Sequence, residues 1–345
     1  MGFLIFILIQ DAKGACMHDR RADADPMQPG KPANVLTPAA VSPLLRIDVN
    51  MTKGEVKTMK KKLIAIIALV VVAVIAVAAV LLLNNGGKKA ITIAVPNDPT
   101  NEGRALLLLE ANGYIKLKAD AGVTATAKDI AENPLGIEFK EVEAAMVPNV
   151  LADVDYAIIN NNFALDAGMN PVKDSLLIES AESPYANVLC VKAGNENSDA
   201  AKALAAALYS KKVADYITAT YAGAAVSVVE NPTDGFDATV NYEALAGTTI
   251  SVAASPTPHA QILAVAAEIL AEKNVKLNVI EFSDYIQPNM VVESDEVFAN
   301  YFAHIPYQDN FNAENGTHIV VVAPIHVEPM GLYGGKQANL DALKK

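Results

Sequence analysis

The sequence predicts an α/β protein of two lobes, preceded by one N-terminal transmembrane helix. Three observations predict it. An unbroken apolar run, LIAIIALVVVAVIAVAAVLLL, fills residues 63–83. Beyond it, 258 residues remain from Lys88 to the end (88–345), enough for two α/β lobes. Along them, short apolar strand signals alternate with amphipathic helix signals, fade between 231 and 247, and then restart.

The apolar run holds 21 residues without a charge, Gly or Pro. As a helix rising 1.5 Å per residue it would cross a hydrocarbon core of about 30 Å. Lys60, Lys61 and Lys62 stand directly before it, which places 1–62 in the cytoplasm and everything after Asn84 outside. Ala76-Val77-Ala78 resembles a cleavage site, but the run is longer than the usual signal-peptide core, which favours an uncleaved anchor. Residues 1–58 carry no periodicity and read as an extension ahead of a later start at Met51 or Met59, or as a disordered tail. The apolar stretch 3–9 is too short to span. Residues 84–89 read as a flexible tether.

The exported part opens with a strand at 91–95, stopped by Pro96. A helix follows at 100–112, with Thr100 as N-cap and Gly113 after its end. Strands are expected at 137–142, 154–159 and 187–191, and helices at 199–209 and 213–221. Residues 231–247 (NPTDGFDATVNYEALAG) cluster Asn-Pro and Asp-Gly turn signals and read as a linker or long loop. Then come a strand at 250–254, a helix at 258–273 with Thr257 as N-cap and Pro258 at its first position, a strand at 277–282, a helical turn at 288–293 and a strand at 319–323. This alternation implies mostly parallel sheets, whose ligand sites lie beyond the strand carboxyl ends.

Composition narrows the function. Lys and Arg number 27 against 39 Asp and Glu, a net charge of -12, so there is no basic surface to displace counterions from a nucleic acid. Two cysteines, Cys16 and Cys190, exclude a disulfide framework and a Cys-rich metal site; on opposite sides of a membrane they should not pair. His259, His304, His318 and His326 match no metal-ligand spacing and read as packed or surface residues. No Walker A, GxGxxG or GxSxG motif occurs, and no nucleophile accompanies a base. No metal, cofactor or catalytic residue is expected.

Four segments could carry binding chemistry. In VPNDPTNEGR (95–104), Asn101 and Arg104 sit near a helix N-terminus, where unpaired N–H groups and a guanidinium suit a small carboxylate; an ordinary capped helix fits too. In FSDYIQPN (282–289), Tyr285 stands where a pocket wall would be, or packs on the next helix. YFAHIPY (301–307) packs four rings into seven residues, and Phe302, His304 and Tyr307 suit a cavity wall better than catalysis. Asn160, in NNN (160–162), and Asn187, in SPYAN (183–187), offer donor and acceptor together, as a zwitterion needs; each also fits a strand-end turn.

The stretches VPNDPTNEGRALLLLEANGYIKL, AIINNNFALDAG, SPYANVLCV, TPHAQIL, EFSDYIQPN, YFAHIPYQDNFNAENG and HVEPMGLY cover nearly all of 90–345. They resemble the methionine-binding (MetQ/NlpA-type) family of ABC-transporter substrate-binding proteins. The resemblance implies a two-lobed type II periplasmic-binding-protein fold with methionine closed in the cleft. It implies that Asn101 and Arg104 hold the carboxylate, that Asn160 and Asn187 bond the polar end, and that Tyr285, Phe302, His304 and Tyr307 form the side-chain pocket. A ring-lined slot suits a thioether.

The segment order is circularly permuted relative to that family: the half containing TPHAQIL and HVEPMGLY follows the half containing VPNDPTN and SPYANV. An unchanged fold is expected, with 88–172 plus 331–345 in one lobe, 173–330 in the other and 231–247 as the new connection. The family's lipidated cysteine is missing after the apolar run, so the helix itself would anchor the protein in the cell membrane with the binding part extracytoplasmic. The function implied is capture of methionine and its delivery to the permease and ATPase subunits of an importer. A membrane-anchored amino-acid sensor, or a binder of a related amino acid or a Met-containing dipeptide, is the alternative.

Overall fold

The computed structural model describes residues 53–84, 90–180 and 184–344. The chain divides into two units, 1–84 and 85–345. In the first, the described residues form one helix, Lys53–Asn84, whose described side chains are exposed. Among the described residues no helix is long and apolar enough to cross a membrane, so the expected span at 63–83 is not found there. The expectations for 1–52, including Cys16 and the 3–9 stretch, and for the tether at 85–89 lie outside the described residues.

In the second unit the alternation of sequence signals becomes thirteen strands among the described residues. They are β1 (Thr92–Pro96), β2 (Lys116–Leu117), β3 (Ile130–Glu132), β4 (Glu138–Val142), β5 (Tyr156–Ile159), β6 (Ser175–Ile178), β7 (Ala186–Lys192), β8 (Val226–Ser227), β9 (Thr249–Ala254), β10 (Lys276–Glu281), β11 (Ala299–His304), β12 (Ile319–Val327) and β13 (Gly331–Gly334). One sheet has the order β4-β1-β5-β13-β6 and a second has β10-β9-β11-β7-β12-β8, while β2 and β3 form a small ribbon.

Each sheet keeps a parallel trio, β4-β1-β5 or β10-β9-β11. The expectation of mostly parallel sheets stops there. β13 runs antiparallel to β5 and β6, and β7 antiparallel to β11 and β12. The chain passes between the sheets twice, through 179–185 after β6 and through 328–330 after β12. β7 and β13 enter their new sheets from these passages, and no helix stands in either among the described residues; parallel pairing would need a crossover connection. β6 lies in the first sheet, so the passages fall at 179–185 and 328–330, where the sequence placed lobe boundaries at 172 and 331.

Two local expectations are corrected. The helix expected from Thr100 runs Pro99–Ala111 and is capped by Asp98, which accepts from the Asn101 N–H; Pro99 takes the first helical position, and the cap falls two residues earlier than expected. The helix expected at 258–273 begins as a wide turn, Pro256–Ala260, with Thr257 extended (φ -126, ψ 133), and becomes α-helical only at Gln261–Ala271. A residue before proline resists the helical conformation. The stretch 231–247 is packed: Val240 is buried, and Phe236, Tyr242 and Leu245 pack on the second sheet's core. The Phe236 and Tyr242 rings meet at 5.6 Å and Lys273 Nζ sits 4.7 Å above Phe236. Asn241 caps a helical turn at Tyr242–Leu245.

The C-terminal segment returns to the first strand. Leu343 is buried in the same cluster as Ile93, with Ile91 against it, and the Tyr156 hydroxyl donates to the Asn339 carbonyl at 2.7 Å. Neither sheet is therefore made from a contiguous piece of chain. A fragment ending at Val229 lacks β13 from the first sheet and β9 through β12 from the second. It is expected to show no cooperative thermal transition, whereas a folded, ligand-binding 88–229 fragment, seen by circular dichroism and melting, would contradict this interdependence.

Candidate functional site

All eight sequence-predicted site residues line one cavity of about 340 Å³ of empty space. Asn101 and Arg104 come from the first turns of the helix after β1, and Asn160 from the end of β5. Asn187 lies on β7, and Phe302 and His304 on β11. Tyr307 stands at the start of helix Ile305–Asn315, and Tyr285 on the loop before helix Gln287–Glu293. Asn161, Asn162, Ala303 and Glu328 complete the lining.

Hydrogen bonding separates supporting groups from free ones. Asn101 Nδ2 donates to both Asp98 oxygens at 2.9 and 3.1 Å, and Oδ1 accepts from Asn160 Nδ2 at 2.8 Å and faces His304 Nε2 at 3.2 Å. The two Asp98 oxygens lie on one side of Nδ2, so one of its two N–H groups serves both, and the other makes no further hydrogen bond among the described residues and can serve the expected carboxylate contact. Arg104 is only 3% exposed. Its Nε bonds both Glu179 oxygens at 2.9 and 3.0 Å, and Nη2 bonds Glu179 Oε2 at 2.5 Å and the Glu328 carbonyl at 2.7 Å. Its plane lies 4.5 Å above Tyr185. Nη1 alone has no hydrogen bond among the described residues. Asn160, having given Nδ2 to Asn101, keeps Oδ1 buried without a partner, as does Asn161.

His304 accepts from the Tyr307 N–H at Nδ1 (3.1 Å), so Nε2 carries the proton toward Asn101. Burial, with Arg104 nearby, holds this imidazole well below its usual pKa, and it is neutral. The opposite wall is aromatic. Tyr285, Phe302 and Tyr307 have ring centroids 5.8 to 5.9 Å apart. The Tyr285 hydroxyl donates to Asn162 Oδ1 and the Tyr307 hydroxyl to the Tyr285 carbonyl, each at 2.6 Å. Both polar tips are thus turned away from the slot, leaving ring faces toward it.

Behind Asn187 lies a buried chain that the sequence did not reveal. His259, His326 and Glu328 have ligand-type atoms within 4.8 Å of one another, the set best placed here to hold a metal. Without a metal they form a hydrogen-bonded chain. Burial keeps the Tyr301 hydroxyl protonated, and it donates to His326 Nδ1 at 2.5 Å. His326 therefore carries its proton on Nε2, which donates to Glu328 Oε1 at 2.8 Å. His259 Nε2 meets two acceptors, Asn187 Oδ1 at 3.0 Å and Glu328 Oε1 at 3.1 Å, and carries its proton there. Two N–H groups thus face the carboxylate. His259, His304 and His326 are buried, while His318 is exposed beside Glu293.

The sequence model of the NlpA lipoprotein family matches residues 79–229 and 250–345. The chain belongs to the NlpA lipoprotein family. Among its curated relatives, the "Probable D-methionine-binding lipoprotein MetQ" of Pasteurella multocida is 44% identical over 122 residues, 35% of this chain and 44% of the relative. The "D-methionine-binding lipoprotein MetQ" of Escherichia coli is 39% identical over 136 residues, 39% of this chain and 50% of the relative. This NlpA-family chain spans about half the length of the curated relatives it matches. Among solved structures, a lipoprotein from Ruminococcus gnavus is 45% identical over 40% of this chain and 59% of its own, with a TM-score of 0.39. A nutrient-binding protein from Burkholderia cenocepacia bound to methionine is 51% identical over 29% and 43%, with a TM-score of 0.28.

The buried chain gives this family member a specific acid response. Burial pushes His259 from 6.5 down to about 4. Burial also works to raise Glu328, but His259, His326 and Arg104 outweigh it and hold the carboxyl below its usual value. Both folded-state pKa values lie below the unfolded ones, so the stability each contributes is present above the unfolded pKa and lost as pH falls. The window for His259 runs from 6.5 down to about 4, with up to roughly 3 kcal/mol at stake. Melting temperature should fall across that window, and His259→Gln should flatten the fall, as read by calorimetric melts from pH 8 to 4.

Proposed function

We propose that this chain is the extracytoplasmic substrate-binding protein of an ABC importer, that it holds methionine in the cleft between two lobes, and that it delivers it to the permease and ATPase subunits. The observation that carries the reading is the polarity of the cavity. One end has free N–H donors on Arg104 Nη1 and Asn187, suited to a carboxylate, with the bare Asn160 Oδ1 to accept from an ammonium. The other end is the wall of Tyr285, Phe302 and Tyr307, where a thioether gains from sulfur–aromatic contact. Two curated relatives bear names for D-methionine binding, which supports the same ligand class. Nothing in the reading requires a reaction: closing the lobes on the ligand shifts a population toward a form that docks on the permease.

The lobes of this proposal follow the sheets, with the passages at 179–185 and 328–330 as hinges. The permuted order is part of it. The family match skips 230–249, the position of the new connection, and Leu343 packs beside Ile91 and Ile93, which brings the family's interior junction together. The match to about half of each curated relative, beside a family match on both sides of 230–249, supports the proposed order. The proposal also takes the 21-residue run at 63–83 as a single-pass anchor. That part rests on its sequence alone.

A second hollow of about 640 Å³ of empty space shares Tyr285 and Tyr307 with the cavity and is further lined by Asn97, Asp98, Glu143 and Asp284. It favours a Met-containing dipeptide as the second reading. Thermal melts with L- and D-methionine, leucine, glutamate and a Met-containing dipeptide decide between them. Methionine at ~100 times its Kd should add about 2.7 kcal/mol, and leucine and glutamate little. A flat panel removes the methionine reading, and a shift with the dipeptide alone selects the second.

A further inference from the structure

We infer that His259 is a positioning residue that decides which end of the Asn187 amide faces the cavity, and so makes that end of the site select a carboxylate. The inference rests on the amino-acid-binding reading above. An asparagine amide is nearly symmetric in shape but opposite in hydrogen bonding at its two ends. Left free, Asn187 could present its oxygen to the ligand as readily as its nitrogen.

Here it is not free. His259 Nε2 lies 3.0 Å from Asn187 Oδ1 and holds the oxygen away from the ligand, leaving Nδ2 for the cavity that Asn187 lines. The direction of that bond is fixed from behind. Nε2 also stands 3.1 Å from the Glu328 carboxylate, which only an N–H tolerates. Glu328 is held in turn by His326 Nε2 at 2.8 Å, and the His326 tautomer is set by the Tyr301 hydroxyl at 2.5 Å. The relay therefore has one consistent set of proton positions, and every member is at most 6% exposed, so water does not scramble it. Asn160 is constrained in the opposite sense: Asn101 Oδ1 takes its Nδ2, leaving Oδ1 unpartnered.

The consequence is chemical selectivity. A ligand lacking the carboxylate, or offering an amine in its place, leaves the Asn187 N–H groups unmet in a desolvated site, a loss on the order of tenfold or more in affinity. Calorimetric titration of the full chain with methionine and with 3-(methylthio)propylamine, which lacks the carboxylate, reads this directly. Wild type should prefer methionine strongly. His259→Leu should lower methionine affinity about tenfold and shrink the preference, because Asn187 can then turn over. His259→Gln, whose amide N–H can still donate to Asn187 Oδ1, should restore the preference. An unchanged preference in His259→Leu, or no rescue by His259→Gln, overturns the inference. A second measurement needs neither variant nor ligand: ¹⁵N imidazole spectra of the wild-type chain should show His259 as the Nε2–H tautomer at pH 7. The Nδ1–H tautomer overturns the inference even if methionine binds. Wild type that ignores methionine sinks the functional reading instead, and the tautomer still decides the role of His259.

Discussion

Arg104 is the interaction on which the rest depends. It sits on the helix after β1, buried, and grips both passages between the sheets at once: the Glu179 carboxylate on one and the Glu328 carbonyl on the other. The passages are also joined directly, by the Glu179 N–H to the Met330 carbonyl at 2.9 Å and by the Met330 N–H to the Glu179 carboxylate at 3.0 Å. A buried ion pair of this kind contributes little net stability against an apolar substitute, yet losing one partner is costly because the other charge stays buried and unpaired. Its value is geometric. The guanidinium cannot move without moving both passages, and its remaining Nη1 is aimed by contacts that no ligand provides.

The same economy orders the neutral groups. Asn101 orients Asn160 and His304 through its Oδ1, and His259 orients Asn187 through its Nε2. Two chemically identical amides end up with opposite faces toward the cavity because their supports differ, one an acceptor and one a donor. Buried polar networks of this sort are worth having only when complete. Among the described residues, three of the eight buried side-chain atoms without partners, on Asn160, Asn161 and Asn162, line the cavity, where a ligand could complete them.

Much of the strand and helix pattern was legible because it is local. Ile93, Val95, Ile158 and Ile159 are buried in short apolar runs, and Ser198 and Ser210 cap the helices that follow them. The eight cavity residues were legible as types in context: amides, an arginine and rings after strand ends. What could not be read is pairing at a distance. Glu179 lies 75 residues from Arg104 and Glu328 is 224 away, and neither carries a local mark that separates it from a surface acid. His259 and His326 were read as packed or surface residues because the partners that give them direction, Tyr301, Glu328 and Asn187, come from three separate strands or passages. The segment 231–247 is legible as a long loop from its turn signals, while its packing is not, because the core face that Phe236, Val240 and Tyr242 cover comes from distant parts of the chain.

That segment bears on why a swapped chain order need not disturb the site. Closing a loop costs entropy that grows only with the logarithm of its length, so a connection of about this length adds little to the cost, and its apolar residues recover some of it by burial on the second sheet. In the proposed order the cut would fall where Leu343 packs beside Ile91 and Ile93, and it would remove one backbone link there. The cavity residues come from both sheets and both passages in either order. Once Arg104 and Glu179 pair, the positions of β7 and β13 are set whichever half is made first. On this reading chain order governs the route of folding, through which contacts are near in sequence, while the shape of the cavity is governed by the two passages and the arginine between them.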